Sequence, residues 1–200
     1  MRLIDEKVIL RDMIASDVED RVRWETIETE WLGWDAPWEN DPANVYYVPF
    51  DEAALRRSCA GKLSRAREDD EPRASFEICV NDAAQTHIGW CNSYRIDEQC
   101  FYSPAGDRLA IGIDIPPAQA RHKGYATAAW RLFIGYLIEN GASEVYTQTW
   151  SGNIRVLGLI EKLGFVEIDR KQGIRHVRGA RYDALTFRLT KAAFEKLNQE

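Results

Sequence analysis

The chain has little of what would tie it to a metal, a membrane, a disulfide framework or nucleic acid. Its three histidines, His87, His122 and His176, stand apart without metal-ligand spacing, so no metal is expected. Four cysteines, Cys59, Cys79, Cys91 and Cys100, form no C-x-x-C pair, and reduced thiols in a cytoplasmic protein are the simplest reading. The opening Met1-Arg-Leu-Ile-Asp-Glu-Lys7 has no long apolar run, which reads as no secretion signal. No stretch approaches the roughly 20 apolar residues of a membrane helix. Basic residues are the minority sign, 26 against 32 acidic, for a formal charge of −6 and a pI near 5.2. Neither nucleic acid nor an anionic membrane is an expected partner. Internal repeats and low-complexity segments are also missing.

What is present is enough apolar residue, 45%, for one core over residues 1–200, so a single domain is the expectation. The organising stretch begins with Ile111, Ile113 and Ile115 alternating with Gly112 and Asp114, a strand with one apolar face. Pro116 and Pro117 end it, since neither can donate to a ladder. Ala129, Leu132, Phe133, Tyr136 and Leu137 then recur at helical spacing, and Asn140-Gly141 supplies the stop. The junction is Arg121-His122-Lys123-Gly124-Tyr125-Ala126-Thr127. A helix start leaves four N–H groups unpaired at the positive end of the dipole. Gly124 lets backbone approach a ligand, and Arg121 and Lys123 add positive charge where it is otherwise unfavourable. That combination predicts an anion cradle, suited to a pyrophosphate; an ordinary glycine turn is the alternative.

Before this junction the pattern predicts a strand at Lys7–Arg11 and a helix from a capping box, Ser16 with Glu19, carrying Val18, Val22 and Ile27. A tryptophan-rich acidic segment follows, with Trp24, Trp31, Trp34 and Trp38 among Glu28, Glu30, Asp35, Glu39 and Asp41. It reads either as an apolar hinge with a solvated rim or as an acceptor site, because aromatic faces and carboxylates both suit a cationic amine. A second helix is predicted from Asp51 to about Arg67 on Leu55, Cys59 and Leu63, then a charged break at Glu68–Pro72. Phe76–Val80 and His87–Tyr94 read as a hairpin turning at Asn81-Asp82. After the central helix come a strand at Glu144–Trp150, a helix at about Ile154–Leu163 stopped by Gly164, strands at Phe165–Ile168 and Tyr182–Leu189, and a tail helix over 190–199. Arg170, Lys171, Arg175, Arg178 and Arg181 read as a solvated charged face between the last strands, with an acidic partner surface the alternative. The element order fits an α/β fold with one mixed sheet better than a doubly wound one.

The sequence R-x-x-G-x-A, here Arg121, Gly124 and Ala126, resembles the pyrophosphate loop of the GNAT family of acetyl-CoA-dependent N-acetyltransferases. Asn153 opening a helix that ends in Lys162-Leu-Gly-Phe165 is similar to that family's next block, in the same order. The resemblance covers about the second half of the chain and is closest to the ribosomal-protein and polyamine acetyltransferase subgroup. It implies a mixed, mostly antiparallel sheet whose central strands splay, with helices on both faces and acetyl-CoA entering at the splay. It implies cofactor contacts from Ile113, Ile115, the loop Arg121, His122, Lys123, Gly124, Tyr125, Ala126 and Thr127, and Asn153. An acceptor pocket bordered by Trp31, Trp34, Asp35 and Trp38 goes with it.

Amine acetylation needs a base, because an alkylammonium has a pKa near 10.4. Asp114, on the strand face opposite the isoleucines, is the candidate, with Glu77 in reserve; a polar residue on a solvated strand face, or a salt-bridge partner of a nearby Arg, is the alternative role for Asp114. A backbone N–H near Ile115 is the candidate oxyanion donor. The family's Tyr acid falls on Ile160 here, and a Ser of related enzymes on Val156, so the general acid is unassigned between Ser151, Tyr125 and none. A thiol of pKa about 8.5 is a fair leaving group without one. The expected acceptor is a small cationic amine; protein N-terminal acetylation and a non-catalytic acyl-CoA-binding regulator are the alternatives. A homodimer is left open.

Overall fold

The computed structural model describes residues 1–64 and 71–198. Its strands hydrogen-bond in the order β1 (Arg2–Ile4), β2 (Val8–Arg11), β3 (Ser75–Val80), β4 (His87–Ile96), β5 (Arg108–Asp114), β6 (Glu144–Trp150), β8 (Ala180–Thr190), β7 (Val166–Val177). β5 and β6 run parallel, whereas β1–β2, β2–β3, β6–β8 and β7–β8 are antiparallel, so the α/β fold has the mixed sheet expected. Contacts gather the chain into two compact units, Met1–Trp90 with Asp114–Tyr125, and Cys91–Ile113 with Ala126–Glu200.

In the first unit Val8, Leu10, Phe76 and Ile78 are buried, and Leu10 stands opposite Ile78. The three-residue β1 carries Arg2 beside Leu3 and gives too short a pattern to be read in advance. Helix α1 (Asp17–Thr26) corrects the capping-box expectation. Ser16 is itself helical (φ −65°, ψ −26°) and its side chain makes no cap. Asp17 instead reaches back from the first turn: its carboxylate accepts the Ile14 N–H at 2.8 Å and is paired twice with Arg11 at 2.6 and 2.7 Å. The buried anchor of α1 is Trp24, while the expected Ile27 is exposed. Helix α2 (Glu52–Ser64) is capped as expected by Asp51, whose Oδ1 accepts the Ala54 N–H at 2.9 Å. Cys59 is its buried residue and Leu63 is exposed. The expected extension to Arg67 and most of the charged break lie outside the described residues.

In the second unit helix α3 (Tyr125–Glu139) buries Ala129, Phe133, Tyr136 and Leu137 as the spacing predicts. Helix α4 (Ile154–Lys162) is capped by Asn153, whose Oδ1 accepts the Val156 N–H at 3.3 Å. The closing strands are a correction in length. β7 and β8 form one long hairpin that turns at Arg178-Gly179, so Arg170, Lys171 and Arg175 lie on β7 and Arg181 on β8. Arg170 there pairs with Glu167 and Asp183, which fits the solvated charged face. Helix α5 (Lys191–Leu197) is capped by Thr190; the expected end at 199 lies outside the described residues.

The central strands part as the resemblance implied. β5 and β6 share only the pairs Ala110–Tyr146 and Ile111–Thr147, closed by the Thr147 hydroxyl donating to the Ile111 carbonyl at 3.0 Å. Beyond Ile111 the Gly112 carbonyl accepts the indole N–H of Trp130 at 3.4 Å instead of a ladder bond. Gly112 and Ile113 therefore present strand backbone that β6 does not use.

Candidate active site

β5 leaves the sheet through Asp114, Ile115 and the buried prolines Pro116 and Pro117. Gly89 of β4 lies so close that a Cβ there would collide with the Asp114 carbonyl oxygen, so a glycine is required for this approach. After a short 3-10 turn at Ala118–Ala120 the loop reaches Gly124 at φ +84°, with His122 also left-handed at φ +59°. α3 begins at the next residue. The sequence-predicted junction is thus a left-handed turn delivering a helix start, the local geometry an anion cradle needs.

The basic residues of this loop divide their work. Lys123 and His122 are exposed. The Arg121 guanidinium turns inward: Nε donates to the Ile115 carbonyl at 2.9 Å, Nη2 to the Pro116 carbonyl, and Nη1 pairs with Glu30. Any contribution of Arg121 to a phosphate therefore comes from its backbone rather than its side chain. The missing charge is restored by Lys7, whose ammonium nitrogen lies 2.9 Å from where a Gly124 Cβ would be. A contact between residues 7 and 124 leaves no local trace in the sequence. A cradle that a Cβ would fill, with an ammonium over it, fits the pyrophosphate of acetyl-CoA.

The acceptor segment folds as a 3-10 turn, Thr29–Gly33, directly after α1. Trp31 is 7% exposed; its indole N–H donates to the Trp24 carbonyl at 2.9 Å and it stands edge-on to Trp90 at 5.4 Å. Trp38 is 9% exposed. Trp34 and Asp35 are the more accessible members. Trp34 donates its indole N–H to Glu30 Oε1 at 2.8 Å.

Asp35, Asp114 and Glu25 share one electrostatic environment. Burial pushes Asp114 well above the usual carboxylate range, and the Asp35 charge adds to it, partly offset by Arg21. Asp35 retains surface open to water, and crowding by the surrounding protein together with Glu39 lifts its carboxyl to about 6. Glu25 is raised by burial and by Asp35 against the pull of Arg21. Asp114 was legible from strand alternation. Glu25 was not, because the last turn of α1 and the 3-10 turn bring it to Asp35 only in the folded chain.

Glu77, the reserve base, belongs to a different arrangement. Its carboxylate receives Arg21 (2.9 to 3.2 Å), while His87 Nε2 lies 3.0 Å from Oε2. Despite burial, these partners hold it below the usual range, which makes it a poor proton acceptor. Arg21 also lies over Trp90 at 3.4 Å. His87 Nδ1 faces Asp20 at 3.0 Å and Asp17 at 3.4 Å. That Asp17–Asp20–His87 trio has metal-ligand types, but Arg11 already pairs with Asp17 and Arg23 with Asp20.

In the second unit, Ile113 lies on the part of β5 that has left β6, and Ala126 and Thr127 stand in the first turn of α3. Asn153 is 5% exposed and serves as the α4 cap. Ile160 is 2% exposed in the core, so the family's tyrosine position is a packing position here. Ser151 accepts the Asp183 N–H at 3.0 Å and closes the β6–β8 end. A cavity of about 340 Å³ lined by Cys100, Arg108, Tyr146, Asp169 and Arg188 among others includes none of the sequence-predicted site residues.

A left-handed loop feeding a helix start is compatible with an acyl-CoA-dependent acyltransferase, the class to which the family match assigns the chain. The family is more particular: residues 7–166 match the acetyltransferase (GNAT) domain model, and the chain belongs to that family of N-acetyltransferases. No curated protein matches the chain. Solved structures share the fold at low identity. A spermidine N-acetyltransferase from Vibrio cholerae, in complex with CoA and spermine, is 18% identical over 96% of this chain and 99% of that one, with a TM-score of 0.65. A ribosomal-protein-S5-alanine acetyltransferase from Vibrio fischeri is 16% identical over 95% and 96%, with a TM-score of 0.66. A GNAT-family acetyltransferase from Bacillus anthracis is 14% identical over 96% and 99%, with a TM-score of 0.63. Among the described residues no helix is long and apolar enough to cross a membrane.

Proposed function

We propose that this enzyme transfers an acetyl group from acetyl-CoA to a primary amine of a small polycation, polyamine- or aminoglycoside-like. The observation that carries the reading is the carboxyl group of Asp114, raised by burial at the strand exit beside Asp35 and Glu25. All three carboxyls are raised, and a bound cation would offset the cost of their negative charge, so the site favours a substrate with positive charge. The half-buried Trp34, next to the exposed Asp35, adds an aromatic face at the rim. That the spermidine acetyltransferase above shares the fold is consistent with this acceptor class.

Acetyl-CoA supplies the thioester. The loop Arg121–Thr127 offers backbone N–H groups at the α3 start for its pyrophosphate, with Lys7 and Lys123 adding charge. Gly112 and Ile113, on the side of β5 that β6 no longer pairs, offer strand backbone to its pantetheine arm. Asp114, ionised once the cationic acceptor is seated, accepts the ammonium proton and frees the nitrogen lone pair. Nitrogen then bonds to the carbonyl carbon as the carbon–sulfur bond breaks, and the Ile115 N–H faces the charge that develops on oxygen. The thiolate leaves, and the second proton of the newly acylated nitrogen passes to it through water, giving the neutral amide and free thiol, since Ile160 provides no acid.

Thiol release from acetyl-CoA tests this with spermidine, an aminoglycoside, a peptide with a free N-terminus and no acceptor. Faster release with the polycations supports the reading. Release with the peptide alone overturns the acceptor class and makes the protein an N-terminal acetyltransferase. No release from any acceptor, with CoA still raising Tm, leaves a non-catalytic binder and overturns the reading.

A further inference from the structure

The Arg121 side chain has left the phosphate cradle, and what it holds instead has a geometry of its own. A guanidinium is a rigid planar fork, so its direction is set once two of its N–H groups are bound. Here the Ile115 and Pro116 carbonyls bind Nε and Nη2, which fixes the fork to the exit of β5; Arg121 is only 12% exposed. The remaining arm pairs with Glu30 Oε2. Glu30 Oε1 accepts the indole N–H of Trp34 at 2.8 Å. Both oxygens of one carboxylate are therefore used, one toward the cofactor loop and one toward the tryptophan of the acceptor rim. Trp34 is also tied at its backbone, where its N–H donates to the Trp31 carbonyl at 2.9 Å.

We propose that Glu30 is a positioning residue that couples cofactor binding to the acceptor wall. The coupling rests on the reading above, in which the loop binds acetyl-CoA and Trp34 borders the acceptor. The loop from Arg121 to Gly124 contains two left-handed residues, one of them the non-glycine His122, and such a backbone is held only by its surroundings. A pyrophosphate on its N–H groups adds restraints to it. Because Arg121 begins that loop, a restrained loop restrains the fork, the Glu30 carboxylate and the Trp34 indole in turn. Cofactor binding thus prepares the acceptor wall, and the acceptor gains affinity by what it no longer has to order. Linkage requires the reverse effect of equal size, acceptor tightening cofactor. Glu30 touches neither reacting group in this scheme, and its side chain is more than half exposed, so its substitution disturbs no core.

The test is fluorine NMR of protein labelled with 5-fluorotryptophan, the Trp34 signal being identified by Trp34→Phe and the probe being CoA. In the wild type, saturating CoA should shift or sharpen the Trp34 signal. In Glu30→Ala that response should fall about fivefold or more while the CoA Kd changes by less than about threefold. Glu30→Gln, which keeps one acceptor oxygen but no charge, should lie between. In turnover, Glu30→Ala should raise the amine KM about fivefold with kcat within about twofold, a split that general loosening of the fold would not give. A Trp34 signal silent to CoA in the wild type, or equally responsive in Glu30→Ala, overturns the coupling and leaves the functional reading intact. A wild type that binds no CoA overturns the functional reading, and the coupling with it.

Discussion

Asp35 and Asp114 are carboxyls whose pKa the fold raises, and this has a thermodynamic sign. The folded-state pKa of Asp35, about 6, lies above its ordinary value because of crowding by the surrounding protein and the charge of Glu39. The folded state then binds more protons than the unfolded state between about pH 4 and 6. Stability is lost as pH rises through that window, the opposite of a salt-bridged aspartate. Asp35→Asn should therefore raise Tm by about 1–3 °C at pH 8 and leave it unchanged near pH 4, as measured by calorimetry at both values. A lower Tm at pH 8 would show that Asp35 is a paired anion. A cationic acceptor should also release protons on binding near pH 6, visible as a dependence of the binding enthalpy on buffer. At this scale the sequence offered Asp114, through its alternation with the isoleucines, and Asp35, through its tryptophan neighbours. It did not offer Lys7, Glu25 or the arrest of Glu77 by Arg21 and His87, because each depends on residues far apart in the chain or on separate elements.

The cofactor loop is the element most fully legible in advance. Its strand, proline stop, glycine and helix start are local, and each follows from backbone chemistry that a short stretch displays. Gly124 at φ +84° is the position where that chemistry is strictest. Gly124→Val would force a β-branched residue into a left-handed conformation, a strain of about 1–3 kcal/mol, and push its side chain toward Lys7. CoA affinity should fall at least about tenfold by titration calorimetry, with the protein still folded by circular dichroism. Unchanged affinity would remove the loop from the cofactor site. α4 was legible too, through its Asn153 cap, Gly164 stop and apolar spacing, but the spacing could not say that Ile160 is core rather than catalytic. With Ile160 2% exposed, Ile160→Tyr should cost about 1–3 kcal/mol in urea unfolding through overpacking and bring no gain in kcat. The capping box at Ser16 misled for a physical reason. Asp17, one residue on, ties the start of α1 to the segment before it through the Ile14 N–H and Arg11, contacts that the Ser16 hydroxyl does not make.

For the whole molecule, the mixed sheet was readable from the order of elements, and the splay of β5 from β6 was expected only through the family resemblance. Strand alternation alone cannot show it, because partners that stop pairing after two residues have the same sequence pattern as partners that continue. The net charge of −6 acts at this scale as well. An acidic protein draws a polycation by its long-range field, and salt screens that field within about 10 Å at 0.1 M. The KM for a polycationic acceptor should rise several-fold between about 0.05 and 0.5 M NaCl, with kcat little changed, in steady-state assays. A KM indifferent to salt would argue for an uncharged acceptor.

The most direct test of the account concerns Asp114, the carboxyl that burial and Asp35 raise at the exit of β5. Thiol release from acetyl-CoA with the best polycation should be measured for wild type and Asp114→Asn, alongside CoA binding by calorimetry. The account predicts a loss of about a hundredfold or more in kcat, the usual worth of a general base, with the CoA Kd within about twofold. Near-wild-type kcat in a folded Asp114→Asn protein would contradict it.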